Sequence, residues 1–142
     1  MTTKSQIIAT LSTLAITAML AAPGPAAAAR ARNEMIVPDF TKGAKLPAGA
    51  SHGWTLGATG ARGWIYCDKM VTTDARQIAI TKVEKGSPAD GILAAGDVNL
   101  GVGGQPFSYD PRTEFGKALT TAESEAGGGK LTLIRWRAGK TE

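Results

Sequence analysis

The chain has one cysteine and one histidine in 142 residues. Cys67 has no partner for an internal disulfide, so stability must come from buried apolar side chains, which a domain of about 100 residues can supply. A metal site needs several His, Cys or carboxylate ligands at defined spacing, and His52 stands without such company. Ser51 precedes it, but a catalytic triad forms in space and needs a third, orienting group. Glu123 and Glu125 are two apart on a predicted helix and point to different faces. The glycine runs at 101–104 and 127–129 lack the strand-to-helix context and the lysine of a phosphate loop. These absences argue against an enzyme and imply no cofactor and no metal. Cys67 itself is expected as a small, buried strand residue.

Concentrated charge is missing too. Sixteen Lys and Arg face twelve Asp and Glu, a net charge of +4, and the only local cluster is Arg135, Arg137 and Lys140. Nucleic-acid binders gather basic residues on one face and interleave aromatics. No nucleic-acid partner is expected.

What the chain has in plenty is glycine, eighteen of them, which implies many turns and short strands rather than a helical bundle. It also opens with an apolar run, Ile7 to Ala22. Lys4 precedes the run, Pro23-Gly24-Pro25 breaks it, and Ala26 to Ala29 offer small residues for cleavage. That order is a secretory signal. The run is shorter than the roughly 20 apolar residues of a spanning helix. Residues 1–29 are therefore expected to be removed, leaving an exported, periplasmic or extracellular protein with no stable membrane insertion. Residues 30–51, with Pro38, Pro47 and no sustained period, read as a linker.

From His52 the pattern changes. Trp54-Thr55-Leu56 reads as a short strand, Gly57 to Gly63 as a glycine-rich loop, and Trp64 to Cys67 as a β-rich run. Asp68 to Arg76 is polar and loop-like. Gln77 to Val83 reads as a strand with apolar alternation. Ser87-Pro88 is a cap-then-proline helix start, with Gly91 limiting it to a short helix. Asp97 to Val102 is a strand, and Gly103-Gly104 a tight turn into Gln105-Pro106-Phe107. Asp110-Pro111 repeats the helix start. Phe115, Ala118, Leu119 and Ala122 then place an apolar face on a longer helix, which Gly127 to Gly129 ends. Lys130 to Arg137 closes residues 52–138 as a strand. Residues 139–142 are a tail, or the start of a missing C-terminal region.

The stretch VEKGSPADG (83–91), then AGDV (95–98) and VGGQPF (102–107), resembles the centre of bacterial PDZ domains. There V-x-x-G-S-P-A leads through G-D-x-I to V-N-G-x-P. The departures are Val98-Asn99-Leu100 in place of the usual aliphatic run and Gly103 where Asn is common. The segments HGWTLGATGARGWIY, EKGSPADGILAAGDV and EAGGGKLTLIRWRAGKTE are more narrowly similar to a family of exported bacterial proteins of unknown function that carry a PDZ-like segment. The resemblance spans about Ser51 to Glu142. It implies an α+β fold: a PDZ-like, partly open antiparallel β-barrel or sandwich of five to six strands, with one short and one long helix.

The resemblance also implies a function, the capture of protein C-termini or extended segments by strand addition. In such domains the ligand lies between the second strand and the long helix, and loop N–H groups hold its carboxylate. On that pattern Ala61, Arg62, Gly63 and Trp64 are the carboxylate loop, with Trp64 walling the pocket and Arg62 adding charge. Ile65, Tyr66 and Cys67 offer the sheet edge, and Phe115 and Leu119 face it. A different register puts the loop at Leu56-Gly57-Ala58. The residues also allow plainer roles: the glycine loop as a turn, Trp64 and Ile65 as core, Arg62 as a solvated side chain. Beside the free-standing peptide-binding module stands a second class, a recognition or regulatory domain of a larger exported protein, possibly a hydrolase, whose catalytic part is absent from this chain.

The export reading generates one expectation. N-terminal sequencing of expressed protein should find a start between Ala27 and Arg32, and intact Met1 on membrane-bound material would overturn it.

Overall fold

Ile78, Ala79 and Ile80 are consecutive and all buried, so the strand that carries them is covered on both faces. The computed structural model describes residues 37–50 and 53–142. The signal segment, the start of the linker and the Ser51-His52 pair lie outside the described residues. Seven strands are present among the described residues: β1 (Trp54–Thr55), β2 (Ala61–Trp64), β3 (Ile78–Val83), β4 (Val98–Val102), β5 (Gln105–Pro106), β6 (Leu133–Arg137) and β7 (Lys140–Thr141). They form one antiparallel sheet in the order β1-β2-β3-β4-β6-β7, with β5 folded back onto β4. The only α-helix among the described residues is α1 (Pro111–Glu123). The architecture is thus α+β-like, an open sheet with one helix. No helix among the described residues is long and apolar enough to cross a membrane.

Several local expectations hold for stated reasons. Asp110 caps α1, its carboxylate accepting from Arg112 N at 2.9 Å, and Pro111 follows at the first helical position. Gly103 and Gly104 both have positive φ, 61° and 76°, the conformation a two-residue hairpin turn requires. Val102 consequently pairs with Gln105 across the turn.

Three expectations need correction. The short helix at Ser87–Asp90 does not form. The segment runs through successive turns instead: Asp90 N donates to Ser87 O, Leu93 N to Ala89 O, and Gly91 takes a φ of 77°. The Ser87 hydroxyl caps nothing and has no partner, and it is the Asp90 carboxylate that accepts from Gly86 N, at 2.7 Å. The strand count exceeds five to six because the tail folds back. Ala138 and Gly139 take positive φ, and Arg135 and Glu142 exchange two backbone hydrogen bonds, making β7. Cys67 is exposed rather than buried, since β2 ends at Trp64.

The two faces of the sheet bury different clusters. Ile78 and Ile80 pack with Leu56, Ala61, Ile65, Leu93, Phe107 and Phe115 beneath α1. Ala79 and Val98 pack with Phe40 on the other face, where Trp64 and Trp136 cover them. Phe40 comes from the segment read as a linker. Its N–H donates to Gln77 Oε1 at 2.8 Å, and Gln77 in turn donates to Asp39 Oδ1 at 2.8 Å. That exchange lets a short 3-10 turn, Phe40–Lys42, seal the second face.

One ion pair ties the turns after β3 to β6. Asp97 has a side chain only 2% exposed and accepts from Arg137 Nε and Nη2, both at 2.6 Å, and from Ala94 N at 2.8 Å. Removing one partner of such a pair leaves an uncompensated buried charge, whereas replacing both with apolar groups is often neutral. Arg137→Met should therefore lower Tm more than Arg137→Met combined with Asp97→Leu, measured by calorimetry. The reverse order would show that the pair is not what holds this corner.

Candidate functional site

The apolar face of α1 sets the site. Phe115 is 4% exposed and packed into the main cluster, while Leu119, one turn on, is only partly buried. Leu119 looks across a gap toward the β1 end of the sheet. The gap is a cavity of about 290 Å³ lined by Thr55, Leu56, Gly57, Ile65, Phe115 and Leu119. Its walls are thus mostly apolar, with the sheet edge on one side and the helix on the other.

The two ends of the cavity differ. At one end Arg112 lies over the Trp54 ring, 5.1 Å from its centroid. The same guanidinium binds Asp110 through Nη2 at 3.0 Å and Nε at 3.3 Å. Arg112 is therefore already neutralised. Burial alone would raise the Asp110 carboxyl, but the Arg112 guanidinium and backbone N–H outweigh it and hold the group at about 2. The buried Thr72 hydroxyl neighbours this carboxylate without a hydrogen bond of standard geometry.

At the other end a single 3-10 turn, Gly57–Thr59, connects β1 to β2. Gly57 and Gly60 take φ of 61° and 73°. Thr59 Oγ1 accepts from Ala61 N at 3.2 Å and donates to Leu56 O at 2.9 Å, fixing the loop. The N–H groups of Gly57 and Ala58 donate to no protein group among the described residues.

The residues expected at the site divide sharply. Ile65, Phe115 and Leu119 come together at the cavity. Ala61, Arg62, Gly63 and Trp64 do not form a loop. They are β2, paired with β1 on one side and β3 on the other, so their backbone is used in ladders. Ala61 is 1% exposed. Arg62 donates from Nη2 to Gly53 O at 2.7 Å, holding down the start of β1 rather than reaching into the cavity. Gly63 does not have positive φ, and a Cβ there would fall on Ile78 Cγ2. Glycine is required at that position by close packing on β3, not by a turn toward an anion. Trp64 faces the second cluster, its ring 5.6 Å from that of Phe40 at 85°. Tyr66 packs partly against the main cluster with its hydroxyl unpaired, and Cys67 lies outside any strand.

The loop that does stand at the end of the cavity is Leu56-Gly57-Ala58, the other register. Trp54, Thr55 and Arg112 were not singled out by sequence. The signal available for Arg112 was its place one residue after a capped helix start, which sets it beside whatever strand borders the helix.

No protein-family model, curated protein or solved structure matches the chain.

Acid should act on this site and on the core together. Asp110 is held at about 2. Asp97 is also lowered, burial pushing it up but the Arg137 hydrogen bonds pulling it further down. A carboxyl whose folded pKa lies below its unfolded value of about 3.9 stabilises above that value and loses the contribution as pH falls through the folded pKa. Melts should be level from pH 7 to about 5 and fall from about pH 4 toward 2. Asp110→Asn retains a capping side chain and should flatten part of that fall. An unchanged slope would remove Asp110 from the acid response.

Proposed function

We propose that the chain is a PDZ-like peptide-binding module of an exported protein. The observation that carries this reading is the cavity between the β1 end of the sheet and α1, which combines an apolar wall with a sheet edge. Strand addition needs both: main-chain hydrogen bonds from an edge give affinity, and a pocket for alternate side chains gives specificity. A terminal apolar side chain would sit among Leu56, Ile65, Phe115 and Leu119. The terminal carboxylate would face the free N–H groups of Gly57 and Ala58, where left-handed Gly57 turns consecutive N–H groups toward one point.

A cavity of equal volume, about 290 Å³, lies between Pro88–Leu93 and Leu131–Leu133. It borders β6 at Leu133, outside the stretch from Arg135 to Arg137 that β7 covers. Its opposite wall is the turn segment from Pro88 to Leu93 rather than a helix, so the PDZ-like reading favours the α1 side.

The test is a C-terminal peptide library screened against residues 30–142, followed by calorimetry of the selected peptide as free acid and as amide. Loss of a charge-assisted contact of about 1.5–3 kcal/mol predicts a 10- to 150-fold weaker amide. Leu119→Ala should weaken the same peptide while lowering Tm less than Phe115→Ala, because Leu119 is only partly buried and Phe115 is in the core. Equal affinity for acid and amide would withdraw carboxylate capture.

A further inference from the structure

Strand β1 is two residues long, both side chains are exposed, and β2 is its only strand neighbour. The segment from Trp54 to Gly57 nevertheless touches α1 at both ends of the cavity. Trp54 lies under Arg112 at one end. At the other, Leu119 stands so close to Gly57 that a Cβ there would be 2.5 Å from Leu119 Cδ2. A strand needs about 4.8 Å of lateral spacing from its neighbour. A further strand entering between β1 and α1 would have to open these contacts. The β2 edge itself is already taken, and it is taken by a segment of this chain.

That segment lies as a captured peptide would lie. It runs antiparallel to β2, Trp54 opposite Gly63 and Thr55 opposite Arg62. Leu56, at its loop end, is 5% exposed and inserted into the cluster that includes Ile65 and Phe115. Its anchorage is the short ladder, the Leu56 N to Ala61 O bond, the Arg62 bond to Gly53 O, the Arg112–Trp54 stacking, and the packing of buried Gly53 against Gly63 and Thr81. The 3-10 turn that follows begins with left-handed Gly57 and is capped by left-handed Gly60, which can absorb a change of direction.

We propose that Gly53–Thr55 is a displaceable strap that occupies the β2 edge, so that a peptide enters by replacing it, with Leu56–Gly60 as the hinge. This rests on the peptide-binding reading and adds regulation to it. The strap then serves as a template for the ligand: an extended segment with an apolar residue at the hinge end and an aromatic residue two positions before it, under Arg112.

A reversible lock tests this. Leu56 N bonds to Ala61 O, so Thr55 and Arg62 form the neighbouring non-hydrogen-bonded pair. Such pairs have Cα atoms about 4.5 Å apart, within disulfide range. The variant Thr55→Cys with Arg62→Cys, carrying Cys67→Ser to leave no third thiol, is compared oxidised and reduced. The probe is the labelled peptide Ser-His-Gly-Trp-Thr-Leu with a free carboxylate, the strap's own sequence. Cooperative melting in both states certifies the fold. The strap predicts binding in the reduced state and at least a 10-fold loss on oxidation, restored by reductant. In the otherwise native chain Trp54→Ala, which removes the stacking, should raise affinity about 2- to 5-fold. Equal binding in both redox states overturns the strap and leaves the peptide-binding reading standing. Binding in neither state overturns the strap as a ligand template, while the library screen decides the peptide-binding reading separately.

Discussion

Strand β3 buries both of its faces, and the rest of the domain follows from having to cover them. Ile78 and Ile80 look toward α1, and Ala79 looks the other way. Strands covered on both sides read as continuous apolar runs rather than alternating ones. One helix is enough for the first face because Phe107, Leu93 and Leu56 fill the space around it. The second face has no helix, so the Phe40 turn and the rings of Trp64 and Trp136 close it. Trp64 is thereby committed to the face opposite the cavity. A residue that walls a groove and a residue that seals the far face are both aromatic and half-buried, and only the strand's two-residue period decides between them.

That period also explains how much was legible. The helix was readable because Asp110-Pro111 states where it starts and because Phe115, Leu119 and Ala122 share a 3.6-residue face. The Gly103-Gly104 hairpin was readable because two consecutive glycines are what such a turn needs. Phe115, Leu119 and Ile65 line the cavity, the first two because they share the apolar face of α1. Ala61 to Trp64, expected as a loop, is strand β2 instead. Both Leu56-Gly57-Ala58 and Ala61-Arg62-Gly63 offer one glycine, and only structure shows that Gly57 takes positive φ and Gly63 does not. Ser87-Pro88 misled for a related reason. A cap-and-proline pair starts a helix only if the chain can continue it, and Gly91 turned left-handed five residues into the segment that starts at Ser87. The seal provided by Phe40 was hidden because it depends on Gln77, 37 residues away.

The glycines mark the difference between what is rigid and what can move. Gly63 and Gly101 sit in strands where a Cβ would strike a neighbour, so they permit close packing and allow little else. Gly57 and Gly60 sit at the ends of a loop with positive φ, a conformation glycine adopts readily, and a Cβ there would also strike Leu119 Cδ2 and Ser87 Cβ. The rigid pair lies in β2 and β4, inside the sheet. The permissive pair flanks the connection from β1 to β2, beside the cavity. Local opening is easiest where buried apolar contacts are few and backbone hydrogen bonds are near solvent. By that measure β1 is the weak end of the sheet, since Trp54 and Thr55 are both exposed, while Gly63 opposite Trp54 is buried and Arg62 opposite Thr55 is half-buried. The opposite end is held differently: β7 is equally short, but Arg135 and Glu142 join it by two backbone bonds and an ion pair. The two edge strands of one sheet thus have unequal anchorage, and the weaker one is the one that borders the apolar face of α1.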